Sequence, residues 1–262
     1  MAPRPRIEDP TVALVGDSHS ALGWATRVAR TAAADGIHRL LQLGDLGFWP
    51  KFRGGQHFLD NLDRELRASG SELWFVRGNH EDHATLLALP ADEDGLVPVR
   101  PHIRFIADGT LIDWAGRRVL AVGGAPSIDR DARVLGVDWF PEEVTTDRGF
   151  DAAAAAGVVD VVVAHDCPAG IDLGELSAWL PGDAHRERMA KIADATTPKV
   201  WAHGHYHRRR TAEGEYGGTL CRVESVASNM QHGSVIYLHH DDLSVSLPSA
   251  KIRRTVPTPR EW

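Results

Sequence analysis

Residues 11–19 read TVALVGDSH, and this stretch decides the fold. Thr-Val-Ala-Leu-Val is apolar and rich in β-branched residues, with no polar residue at alternate positions. That is the pattern of a strand buried on both faces. Gly16-Asp17 then ends the run in a polar turn. The same unit recurs as RLLQLGD (39–45), ELWFVRGN (72–79), VVDVVVAH (158–165) and KVWAHGH (199–205). Helical stretches lie between these runs, notably Gly23–Ala34, Gln56–Ser69 and Ala184–Ala195, and the alanines at 152–156 also read as helix. Strands alternating with helices predict a mostly parallel sheet covered by helices.

A second class of strand is shorter. IRFI (103–106), TLIDW (110–114) and RVLAV (118–122) are joined by a turn at Ala115-Gly116, and LCRVESVA (220–227), SVIYLHH (234–240) and LSVSL (243–247) follow. These read as antiparallel ribbons. Together the two classes predict two sheets face to face with helices outside. No repeat and no Ser/Gly/Pro-rich linker divides the chain, so residues 1–262 are expected to form one domain.

Composition excludes several classes of protein. Hydrophobic residues at 43% with 25% charged are globular proportions, not those of a disordered chain. The longest apolar runs are far too short to cross a bilayer, and MAPRPRIEDP lacks an apolar signal core. A cytoplasmic protein without a membrane partner is expected. A net charge of −7 argues against a protein that coats nucleic acid, although a metal-dependent nuclease remains possible. With Cys167 and Cys221 as the only cysteines, neither a disulfide scaffold nor a four-cysteine zinc site can form.

The strand ends carry the chemistry. In order they give Asp17 and His19, Asp45, Asn79 and His80, His165, then His205 and His207. In open α/β sheets this edge is where ligands bind. Any one of these residues alone reads as a turn residue, a helix cap or a surface histidine. As a set they offer carboxylate and amide oxygens with imidazole nitrogens, which suits Mn, Fe, Zn, Ni or Co. Seven ligand candidates, leaving His80 aside, match two metals sharing one carboxylate. Such a pair can clamp a phosphoryl group and activate water.

In these blocks the sequence resembles the calcineurin-like metallophosphoesterases. Gly16-Asp17-Ser18-His19, Gly44-Asp45, Gly78-Asn79-His80-Glu81, His165 and Gly204-His205-Tyr206-His207 stand in that family's order. The resemblance implies an αββα four-layer sandwich of two mixed β-sheets flanked by helices. It implies that Asp17, His19 and His207 hold one metal and Asn79, His165 and His205 the other, with Asp45 bridging. It also implies that His80 lies beside the site and donates to the leaving group or stabilises the transition state. The implied cofactors are two divalent or trivalent ions, drawn from Mn, Fe, Zn or Ni. The expected reaction is hydrolysis of a small phosphoester by a metal-bridging hydroxide. The alternatives are a phosphodiesterase or nuclease with the same centre, or a binding scaffold that has lost catalysis.

The chain also departs from the protein serine/threonine phosphatase branch of that family. Phe48 stands where that branch has the Asp that orients the catalytic histidine, and Trp49 where it has a phosphate-gripping Arg. These two aromatics either pack in the core or form an apolar wall beside the metals. Either Glu81 or Asp82 then stands in as the partner of His80, or His80 works by electrostatics alone. Arg130 and Arg133, after the Gly-rich run Gly123-Gly124-Ala125-Pro126-Ser127, are candidates to grip phosphate, or else pair with Asp129, Asp131 or Asp138. That run resembles a stretch in bacterial and phage members of the family. Cys167 reads as a small buried thiol, and Arg208-Arg209-Arg210 as a solvated turn. If strand alternation continues past residue 203, His203 shares a face with His205 and His207. His57, His83 and His185 have no assigned role.

Overall fold

The computed structural model describes residues 4–172, 174 and 183–250. In chain order the elements are β1 (Arg6–Ile7), β2 (Thr11–Val15), α1 (Leu22–Ala34), β3 (Arg39–Leu43), α2 (Arg53–Ser69), β4 (Glu72–Val76), α3 (His83–Ala88), β5 (Val97–Arg100), β6 (Ile103–Phe105), β7 (Leu111–Trp114), β8 (Arg117–Val122), α4 (Asp147–Ala154), β9 (Val161–Ala164), α5 (Asp183–Thr196), β10 (Val200–His203), β11 (Arg210–Tyr216), β12 (Thr219–Ser225), β13 (Val235–His239) and β14 (Val245–Ser246). Short 3-10 turns lie at Arg130–Ala132 and Pro141–Glu143.

Among the described residues the strands form two seven-stranded sheets. One is ordered β14-β13-β2-β3-β4-β6-β5 and the other β1-β7-β8-β9-β10-β12-β11. The centres of both are parallel: β2, β3, β4 and β6 in the first, β8, β9, β10 and β12 in the second. Antiparallel pairs flank them, with β13 on β2, β5 on β6, β7 on β8 and β11 on β12. This is the expected αββα sandwich of two mixed sheets.

Side-chain alternation explains the layers. Val12, Leu14, Leu41 and Leu43 of the first sheet meet Val119, Ala121, Val161 and Val163 of the second in a shared inter-sheet core. On the outer side of the first sheet, Ala13, Leu40 and Phe75 pack under Trp24 and Val28 of α1 and Leu59 and Leu62 of α2. On the outer side of the second, Leu120, Val162 and Trp201 pack under Ala153 of α4 and Met189 and Ile192 of α5. Each central strand is therefore buried on both faces, which is why its sequence shows no polar alternation.

Several boundaries differ from expectation, each for a local reason. The run 158–165 pairs only over Val161–Ala164, since Gly157 adopts φ +72° and Val158 is exposed. Helix α2 starts at Arg53 and not at Gln56. Its glycine pair is a weak helix start by propensity, yet a Cβ at Gly55 would lie 2.0 Å from the Trp49 carbonyl oxygen, so the close approach requires glycine there. The alanine run leaves α4 after Ala154, whose start is capped by Thr146 accepting from the Gly149 amide at 3.1 Å. Arg208-Arg209-Arg210 runs into β11, an edge strand whose charged sequence RTAEGEY hides its pairing with β12.

Truncating the inter-sheet layer should be costly. Leu41→Ala, at a site 2% exposed, should lose about 2–5 kcal/mol of unfolding free energy. Leu220→Ala, at an exposed position of β12, should change it by less than about 0.5 kcal/mol. Urea unfolding of the two variants checks this, and equal losses would contradict the layer assignment.

Candidate metal centre

Five parallel strands from the two sheets end at one edge. There β2 delivers Asp17 and His19, β3 Asp45, β4 Asn79 and His80, β9 His165, and β10 His205 and His207. The backbone at this edge is unusual. His19, Asp45, His205 and His207 have φ of +45°, +48°, +68° and +55°. Left-handed conformations of this kind cost non-glycine residues on the order of 1–3 kcal/mol each and cluster at functional sites. Glycine opens the space beside them. A Cβ at Gly44 (φ +90°) would sit 2.2 Å from His165 Nδ1, and one at Gly78 would sit 2.1 Å from Asp45 Oδ1.

Asp17, His19, Asp45 and His207 each present one ligand atom, and these atoms all lie within 4.8 Å of one another. Asp45 Oδ1 accepts from the His80 amide at 2.8 Å. Its Oδ2 lies 3.8 Å from His19 Nε2 on one side and 3.6 Å from His165 Nε2 on the other. His165 Nε2 in turn lies 2.9 Å from Asn79 Oδ1, and its ring centroid is 5.0 Å from that of His205. The seven candidate ligands thus fall into two groups that meet at Asp45.

The donor chemistry fits a cation. Asp17 Oδ2 is fully buried, with His207 Nε2 at 2.9 Å and His19 Nε2 at 3.9 Å from it. His165 donates from Nδ1 to the Leu43 carbonyl at 2.7 Å, which leaves the Nε2 lone pair facing the Asn79 amide oxygen. Two acceptors at this distance need a proton or a metal between them. Burial opposes charge on both Asp45 and His165. The imidazoles of His165, His80 and His19 nevertheless hold the Asp45 carboxyl well below the ordinary range, and Asp45 and Asp17 raise the His165 pKa. The hydrogen-bonding approach of Asp17 also raises the pKa of His207. His205 is pushed down to about 4, by burial first and then by His165, so it presents a neutral ring. Buried oxygen and imidazole donors of this kind suit Mn, Fe, Zn or Ni.

His80 lines the cleft beside these groups, and its ring centroid lies 5.4 Å from that of His19. Burial lowers its pKa, Asp45 opposes that shift, and Arg133 adds to it. The partners expected for His80 lie elsewhere. Glu81 accepts from the Gly47 and Gly78 amides at 3.2 and 2.6 Å, its pKa pushed up to about 8 by burial and Asp45. Asp82 caps α3 through Thr85. Instead Arg133 Nη2 lies 3.3 Å from His80 Nε2 and is also held by Asp129. Arg130 stacks on Trp139, with its guanidinium carbon 4.7 Å from the ring centroid. Phe48 is buried in the core against Phe75, and Trp49 packs beside Phe52. The cleft itself encloses about 610 Å³, with Asp45, Asn79, His80, His205 and His207 along it and Ile128 and Arg208 among its other lining residues.

The sequence reading missed the residues behind the candidate ligands. Asp166 Oδ2 accepts from His185 Nδ1 at 2.7 Å, while Oδ1 accepts from the Tyr206 hydroxyl and from the Cys167 amide. Tyr206 sits between His205 and His207, so Asp166 pins the Gly204–His207 turn. His185 is the sole sequence signal for this pair, and only tertiary packing brings it to Asp166. Burial pushes the Cys167 thiol up to about 12, as expected of an inert buried cysteine. The strand ends at His203 and the next histidines are left-handed, so His203 does not continue an alternating face with them. Its pKa falls to about 4 through burial.

The family described as calcineurin-like phosphoesterase matches residues 10–209. No curated protein matches the chain. Among solved structures, the Thermus thermophilus protein TT1561 aligns with a TM-score of 0.56 at 13% identity, over 90% of this chain and 97% of that one. A dimetal phosphatase from Danio rerio aligns with a TM-score of 0.53 at 12% identity, over 88% and 93%. At such identities the likeness is one of fold.

Asp166→Ala should strand His185 and Tyr206 without their buried acceptor and cost about 3–5 kcal/mol. Burial raises the Asp166 carboxyl pKa, but the His185 bond, the charges of His185 and His205 and the Tyr206 bond together outweigh it and hold the pKa low. Its contribution is therefore present above the unfolded-state value of about 4 and lost as pH falls through the lower folded value. Denaturant unfolding at neutral pH checks the cost, and a loss below about 1 kcal/mol would contradict this role.

Proposed function

The chain belongs to the calcineurin-like phosphoesterase family, and from this premise we propose that it hydrolyses small phosphate esters at a dinuclear metal centre. The observation that carries this reading is the position of Asp45, whose single Oδ2 reaches both ligand groups. Asp17, His19 and His207 would hold one ion, Asn79, His165 and His205 the other, and Asp45 would bridge. When bound, the two ions neutralise the phosphoryl oxygens and activate water for attack.

The remaining work falls to the chain's own groups. The His80 amide fixes Asp45 Oδ1, which leaves Oδ2 for the ions. The His80 ring borders the cleft and assists the departing ester oxygen. Arg133, held by Asp129, the Asp138 carbonyl and Ser127, brings positive charge beside His80, and Arg208 lines the cleft, where it would steady phosphoryl oxygens. Arg130, stacked on Trp139, would contribute through the shape of its loop. The net charge of −7 favours a small substrate over a nucleic acid.

Two variants test this reading. Asp45→Ala should lose tight binding of an ion pair along with activity, as measured by metal analysis after removal of free ions. Two tightly held ions in that variant would contradict the bridge. His80→Ala should keep both ions and lose about 10²–10⁴-fold in rate on alkyl phosphates. Its loss should be smaller on a nitrophenyl ester, whose leaving group needs little help. Equal losses on both substrates would argue against leaving-group assistance.

A further inference from the structure

The segment Gly123-Gly124-Ala125-Pro126-Ser127 leaves β8 and passes directly behind Asn79. Asn79 Nδ2 donates to Ser127 Oγ at 2.8 Å. Ser127 Oγ donates its only proton to Glu143 Oε2 at 2.6 Å, and the Ser127 amide donates to Glu143 Oε1 at 2.9 Å. Arg133 Nη2 also donates to the same hydroxyl. Glu143 is 3% exposed and Ser127 6%. Both oxygens of the Glu143 carboxylate are therefore taken up by Ser127, and the hydroxyl that faces Asn79 can only accept.

An asparagine amide has two ends of nearly equal size and opposite polarity. Turned one way, Asn79 offers a carbonyl oxygen to the site. Turned the other way, it would present an N–H pair toward a bound cation and repel it. The opposite turn would give His165 Nε2 a donor in the absence of a cation, so the ligand group alone does not favour the metal-binding orientation. An accepting hydroxyl at Ser127 does. We propose that Ser127, its proton committed to Glu143, is a positioning residue that fixes the Asn79 amide with its oxygen toward the second metal subsite. This rests on the dinuclear reading above. The Gly-rich run thus carries no ligand but orients one, and the same Ser127 hydroxyl ties in Arg133 beside His80.

Manganese titration calorimetry on the metal-free 262-residue chain tests the proposal, with thermal unfolding run on every variant to confirm the fold. The wild-type chain should take up two ions. Ser127→Ala should weaken uptake of the second by about 10–100-fold, the range typical of groups that support a metal ligand, and leave the first unchanged. Ser127→Thr keeps the hydroxyl and should restore wild-type affinity. In an Asn79→Asp background both ends of the side chain accept, so there is no orientation to fix, and adding Ser127→Ala should cost nothing more. A packing role for Ser127 would cost as much in that background as in the wild type, and that result would overturn the proposal. So would unchanged second-ion affinity in Ser127→Ala. A wild-type chain that binds a single ion would overturn the dinuclear reading itself, which separates the two failures.

Discussion

Acceptor atoms with too few donors are packed together at the shared strand edge, and the rest of the architecture serves to hold them there. Asp17 Oδ2 is buried beside the His207 ring, Asp45 Oδ2 lies between two imidazoles, and Asn79 Oδ1 faces the lone pair of His165. Left alone, such a cluster would hydrate or spread apart, since buried polar groups without partners cost free energy. Bound cations would satisfy such acceptors. The fold holds the cluster in place by anchoring its members from behind.

That anchoring comes from both sheets. The Asp17 and Asp45 carboxylates each take a backbone amide on Oδ1, from His205 and His80 respectively, so each directs its other oxygen into the site. Leu43 fixes the His165 ring, Asp166 pins the turn around Tyr206, and Glu143 acts through Ser127 on Asn79. Left-handed backbone at His19, Asp45, His205 and His207 bends the side chains inward. That strain is offset by the inter-sheet core, whose strands bury Leu14, Leu43, Val163 and Ala202 just below the ligands. Stability below the edge and strain along it are two sides of one arrangement.

The sequence made the candidate ligands legible because each stands next to its strand and its glycine. Gly-Asp, Gly-Asn-His and Gly-His-Tyr-His are short contiguous blocks, and a both-faces-buried strand announces where each begins. The supporting layer is not contiguous. Ser127 meets Asn79 across 48 residues and His185 meets Asp166 across 19, so no local pattern signals either pair. Arg130 and Arg133 look alike in sequence, yet one stacks on Trp139 and the other reaches His80. Strand β11 is hard to read because an edge strand has little apolar surface to show. Phe48 joins the Phe75 cluster, and only the packing decides between core and cleft wall.

The central claim is that Asp45 joins two ion sites into one centre. Electron paramagnetic resonance of the manganese-loaded protein tests it most directly, because two Mn²⁺ ions sharing a carboxylate are exchange-coupled. The account predicts a coupled-pair spectrum at full loading in the wild-type protein. A spectrum of isolated, non-interacting Mn²⁺ at every loading would contradict it.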